Sequence, residues 1–206
     1  MKPTSSLALA SLVSSLALIS SAHAQETDTS QDLSGRWAFN IGLEQVSIDK
    51  EQAFSADAQI DDSALSLHFE GEYFFHSHYS VTLGLAFLQY DDLASFNQDT
   101  TGGNKSSDAS AMPVYSELGY KRFFGPNDKI YLTTRAGVSV VLASERSISN
   151  CSNCYEEDIE IDGGFYGMLG AGVRLGQTWA LGLHYKNYFS GDIENAVGLT
   201  ISYGYW

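Results

Sequence analysis

The last twelve residues, Asn195 to Trp206 (NAVGLTISYGYW), alternate large apolar with small or polar side chains without interruption. Val197, Leu199, Ile201, Tyr203 and Tyr205 share one face; Ala196, Gly198, Thr200, Ser202 and Gly204 share the other. A period of two is the signature of a β-strand. The small, polar face cannot serve as the apolar core of a globular sheet, so the apolar face must look outward. A strand greasy outside and polar inside is built for lipid on one side and a tight polar interior on the other.

The same alternation recurs along the chain. About Arg36 to Val46, Trp37, Phe39, Ile41 and Leu43 alternate with Arg36, Ala38, Asn40, Gly42 and Glu44. About Leu65 to Phe75, Leu67, Phe69 and Tyr73 oppose Ser66, His68, Glu70 and Glu72. Further segments begin near Tyr79, Val114, Ile130, Phe165 and Trp179, and the terminal strand follows. Short turns such as His76-Ser77-His78, Gly125-Pro126-Asn127-Asp128 and Gly176-Gln177-Thr178 alternate with long connections rich in Gly, Ser, Asn and Asp. The pattern predicts an all-β fold, an eight-stranded antiparallel up-and-down transmembrane β-barrel, with short turns in the periplasm and longer loops outside.

Residues 1–24 read as a signal peptide: Lys2 is basic, Leu7 to Ile19 is apolar, and Ala22-His23-Ala24 offers small residues for cleavage before Gln25. The apolar run is shorter than the roughly 20 residues a spanning helix needs. A polar tail over residues 25–33 precedes the barrel at 34–206. The formal net charge is −14, which argues against a nucleic-acid partner. The acids concentrate in the alternate, long connections, Asp49 to Asp62, Asp91 to Met112, Glu145 to Asp162 and Asp192 to Glu194. Charge gathered at one end of a barrel makes that end the candidate surface for an extracellular ligand, whose identity no motif names.

The inward register collects charges. Arg36, Lys121, Arg135, Arg174 and Lys186 point inward with Glu44, Glu70, Glu72 and Glu117. Charges removed from water must pair, so this near-balance predicts a lumen ion network. An eight-stranded barrel has an interior that side chains just fill, which favours a closed plug over a gated polar pathway. Arg122 is almost the only outward charge, and it lies close to a short turn. Aromatics including Trp37, Tyr73, Phe75, Tyr79, Tyr120, Phe124, Trp179 and Tyr203 cluster near the same ends, as in the girdles of membrane barrels.

Together, the leader, the eight segments and the amphipathic closing strand, with stretches such as Glu117-Leu118-Gly119-Tyr120 and Val173-Arg174-Leu175, resemble the small outer-membrane barrels of the OmpA transmembrane domain, OmpX and opacity type. The resemblance implies a bacterial outer-membrane location, contact with membrane lipid and lipopolysaccharide, and insertion by the barrel assembly machinery. It implies a structural or surface-interaction role, with a narrow channel for ions or small solutes as the alternative. In the usual terminal signal the last residue is on the lipid-facing row; here Tyr205 is on it and Trp206 is one past it.

Other candidate chemistry is thin, and neither a cofactor nor an enzymatic activity is expected. Cys151 and Cys154, in a long connection of an exported chain, suggest a local disulfide. A metal site with Glu156, Glu157 and Asp158 is the alternative, and those acids could also hold Ca²⁺ or Mg²⁺. His76 and His78 offer only two ligands. His184-Tyr185-Lys186-Asn187 followed by Glu194 is similar to the His-x-Ser-Asn motif of outer-membrane lipid A deacylases, but Lys186 occupies the nucleophile's position. Without an activated hydroxyl there, the Ser/His logic of acyl transfer fails.

Overall fold

In the computed structural model, which describes residues 32–49, 60–92, 107–148, 156–158 and 160–204, the alternating segments become β1 (Trp37–Ile48), β2 (Ile60–Phe74), β3 (Tyr79–Asp92), β4 (Ser107–Phe124), β5 (Ile130–Ile148), β6 (Glu156–Asp158), β7 (Phe165–Leu175), β8 (Trp179–Tyr188) and β9 (Ile193–Gly204). Each long strand pairs antiparallel with its neighbours. The order β4-β3-β2-β1-β9-β8-β7-β5 is closed by β4 pairing with β5. Eight strands therefore form a closed up-and-down barrel, and no spanning strand is left with an unpaired edge.

The ninth strand is an addition to the expected eight. β6 is three residues long and pairs only with β5, Glu156 opposite Ser147 and Asp158 opposite Glu145. It lies within the connection that also carries the cysteines. Several spanning strands outrun the expected limits as well, since β4 reaches back to Ser107 and β5 runs on to Ile148. About 9–11 tilted residues cross a membrane, so the β4–β5 ladder continues well past that length at the long-connection end. Backbone pairing needs no apolar face there, which is why apolar periodicity did not mark it.

The faces follow the alternation. Phe39, Ile41, Leu43, Leu83, Leu118, Leu132, Leu183, Leu199 and Ile201 are exposed on the outside, while Ala38, Asn40, Glu44, His68, Glu72 and Glu117 are buried. This inverts a globular core, and the outer leucines are the surface that meets lipid. At the short-turn end the rings lie in cross-strand contact: Trp37 with Tyr73 at 4.8 Å, Trp179 with Tyr203 at 4.9 Å, and Tyr79 with Tyr120 at 5.4 Å. The outward Arg122 lies over the Phe124 ring at 5.5 Å, its charge directed to the girdle.

Two apolar layers cap the interior. Toward the short turns, Leu33, Ala38, Phe74, Phe123, Tyr131 and Ala180 pack together. Leu33, which stands at the edge of the polar tail in sequence, is fully buried there. Toward the long connections a larger cluster includes Val46, Ile48, Leu88, Tyr90, Ile161 and Ile193. Between these layers lie the buried charges.

Candidate functional site: the buried polar layer

Strand register explains how long side chains meet across so narrow a barrel. Glu44 pairs with Gly198, and Gly198 with His184. Glu70 pairs with Gly84, and Gly84 with Tyr115. Glu117 pairs with Gly137, and Gly137 with Tyr166. In each row a glycine separates two large polar residues, and a Cβ on it would collide with one or both of them. Large, absent, large is thus the rule by which the interior is filled.

Arg135 is the hub. Its Nη1 donates to Glu117 Oε2 at 2.7 Å and to Glu70 Oε2 at 3.0 Å, and its Nη2 lies 3.2 Å from Glu72 Oε1. Lys121 Nζ donates to Glu72 Oε2 at 2.6 Å, and Ser80 Oγ donates to Glu72 Oε1 at 2.9 Å. The remaining carboxylate oxygens are met by neutral groups: Tyr166 donates to Glu117 Oε1 at 2.7 Å and Tyr115 to Glu70 Oε1 at 3.0 Å. Asn40 Nδ2 adds a further donor to Glu70 Oε2 at 3.0 Å. Carboxylates held by several donors are the condition under which buried charge is tolerated.

A second group centres on Glu44. Its Oε1 receives Lys186 Nζ at 2.7 Å and His184 Nε2 at 2.6 Å, and His68 Nδ1 stands 3.4 Å away. Because a carboxylate can only accept, Nε2 of His184 carries the proton. Its Nδ1, 3.1 Å from Thr200 Oγ1, then accepts from that hydroxyl when the ring is neutral. Lys186 also lies over the Tyr115 ring at 4.7 Å and the Tyr166 ring at 5.6 Å.

Of the residues assigned to the lumen from sequence, Glu44, Glu70, Glu72, Glu117, Lys121, Arg135 and Lys186 are brought together. Arg36 and Arg174 stand apart from these contacts. They have inward parity but lie toward the short-turn mouth, half-buried, and none of the contacts just described reaches them. Arg174 donates to the Asn127 carbonyl at 2.8 Å and lies over Phe123 at 5.8 Å. Parity says which way a side chain points; its height along the barrel depends on register, which the sequence does not display. The contacts described join four carboxylates and three permanent cations.

Sequence reasoning missed His68 and His184 as members of this layer, along with Tyr115, Tyr166 and Asn40. Inward parity beside an interior glycine was the available signal. His76 and His78 sit at the girdle, 5.7 Å from Tyr79 and 5.6 Å from Tyr120, ring to ring. Cys151, Cys154 and Trp206 lie outside the described residues. Thr200, His184 and Glu44 have the connectivity of a hydroxyl–imidazole–carboxylate relay. The cavity beside them, lined by Asn40, Thr133, Arg135, His184, Thr200 and Ser202, measures ≈ 20 Å³, space for a water and far too little for an acyl chain.

Residues 11–205 match the family model described as the outer membrane protein beta-barrel domain. The chain belongs to this outer-membrane β-barrel family. Its home is the bacterial outer membrane. Among solved structures it is similar to Ail of Yersinia pestis, at 12% identity over 84% of this chain and 98% of that one, with a TM-score of 0.48. Neisserial surface protein A is similar at 11% identity over 84% and 97%, with a TM-score of 0.48. OprG of Pseudomonas aeruginosa is similar at 15% identity over 83% and 94%, with a TM-score of 0.45. No curated protein matches the sequence.

Proposed function

We propose that this outer-membrane barrel is a closed structural and surface-interaction protein rather than a channel or a hydrolase. The observation that carries this reading is the sealed middle layer. Glu70, Glu72 and Glu117 are joined through Arg135, the adjoining cavity is ≈ 20 Å³, and apolar layers lie on either side. An ion crossing such a lumen would have to part buried ion pairs and displace packed side chains, each at a cost of several kcal/mol. Contact with the outside then falls to the long connections. Their acids suit a cationic ligand or partner reached across solvent.

Ail has been solved in complex with the heparin analogue sucrose octasulfate. The acidic connections of the present chain would repel a polyanion of that kind. The test of closure is conductance: refolded protein in planar bilayers should give no discrete current steps at moderate voltage. Reproducible unitary steps that vanish in a control without protein would replace the closed barrel with a narrow channel.

A further inference from the structure

We propose that Glu44, His68 and His184 form an enclosed site for one divalent transition-metal ion of the zinc class. The three residues come from β1, β2 and β8, and the ligand atoms they offer all lie within 4.8 Å of one another. Two imidazoles and one carboxylate are a donor set that Zn²⁺ takes, with a fourth position left for water.

Four further observations point to a ligand. His68 is fully buried, and neither of its ring nitrogens makes a hydrogen bond, although its Nδ1 faces Glu44 at 3.4 Å. A buried imidazole with both nitrogens unpaired is costly unless something else completes it. Space has been cleared for both rings: a Cβ on Gly42 would strike the His68 ring, and one on Gly198 would strike both Glu44 and the His184 ring. Thr200 Oγ1 lies 3.1 Å from the far nitrogen of His184; with the ion in place of the Nε2 proton, the ring hydrogen sits on Nδ1 and donates to that hydroxyl, the outer contact usual for metal-bound histidines. Finally, the contacts described above join four carboxylates to three permanent cations, a net negative setting that favours a cation as the ligand.

Lys186 is the competitor, since its Nζ lies 2.7 Å from the same Glu44 oxygen that an ion would take. On metal binding it would give up that oxygen and stay over the Tyr115 and Tyr166 rings. Donors around a tetrahedral zinc stand about 3.4 Å apart, so the 2.6 Å His184–Glu44 contact would open, His68 Nδ1 already stands 3.4 Å from Glu44, and any pair near the 4.8 Å limit would close.

Because the site is enclosed, it must be loaded during folding. The untagged chain is refolded in detergent with Zn²⁺ and washed with chelator. Elemental analysis should then find about one ion per chain, and X-ray absorption should show a nitrogen and oxygen shell with two imidazoles. Refolding with Co²⁺ should produce the visible absorption of a four-coordinate ion. His68→Gln and His184→Gln should lose the ion while keeping the unboiled gel mobility of the folded barrel, Lys186→Met should retain it at least as well, and the double change His76→Gln, His78→Gln should leave it in place. No retained zinc in the wild-type barrel overturns the proposal and leaves the surplus charge to a proton. A sulfur shell overturns it in favour of Cys151 and Cys154. Should the histidine variants fail to fold, the wild-type absorption spectrum alone decides.

Discussion

Arg135 donates to Glu117 at 2.7 Å, and both side chains are excluded from solvent. They stand on neighbouring strands, where Glu117 pairs with Gly137 and Arg135 with Gly119, so the bond crosses the ladder diagonally. The same guanidinium serves Glu70 and Glu72. Removing Glu117 leaves Arg135 two other acceptors, whereas removing Arg135 takes the shared cation from three carboxylates at once, of which Glu72 keeps Lys121.

The two truncations should therefore differ. Breaking a buried pair costs about 3–5 kcal/mol, and we expect Arg135→Ala to reach that range or fail to refold, with Glu117→Ala below it. Glu194→Ala, exposed at the long-connection end, should change stability by less than about 0.5 kcal/mol. Urea unfolding of the refolded proteins in detergent measures all three. Equal, near-zero effects would mean a wet lumen.

The outer face makes a depth-dependent prediction. Leu199 stands midway along β9, exposed to lipid, and pairs with Leu43 and Leu183 on its two sides. Arginine at the bilayer midplane costs about 2–4 kcal/mol and near an interface about 0–1. Leu199→Arg should accordingly be far more destabilising than Leu175→Arg, which lies at the last residue of β7 beside Trp179. Equal unfolding midpoints in lipid bilayers would contradict the orientation of this face.

Much of the architecture was legible because lipid imposes a simple rule. Every spanning strand must present apolar side chains outward at a period of two, so Val197-Leu199-Ile201-Tyr203 and Trp37-Phe39-Ile41-Leu43 announce themselves. The interior obeys a weaker rule. Arg174 and Lys186 have the same inward parity, yet one rests against Asn127 at the short-turn end and the other on Glu44. What separates them is the stagger of strands around the barrel, a product of long-range pairing. His68 was hidden for another reason: a neutral imidazole adds nothing to a count of charges, and only its pairing with Gly42 reveals why it fits.

The interior rule can be tested at Gly137, which lies between Glu117 and Tyr166 in the ladder. A Cβ there would come within 2.6 Å of Tyr166 Cζ and 2.9 Å of Glu117 Cγ, contacts that would push apart the Tyr166–Glu117 hydrogen bond. A glycine inside a strand ordinarily weakens it, so strand propensity alone predicts that Gly137→Ala stabilises the protein. Packing predicts the reverse, since extra atoms in a filled core cost about 1–3 kcal/mol. Gly71 is the matched control, because a Cβ on it would meet nothing within 4 Å. We expect Gly71→Ala to be neutral or slightly stabilising and Gly137→Ala to be destabilising in urea titrations of the refolded barrel. If the two alanines behave alike, the large-absent-large rows are an accident of composition, and the ion layer is held by charge without close packing.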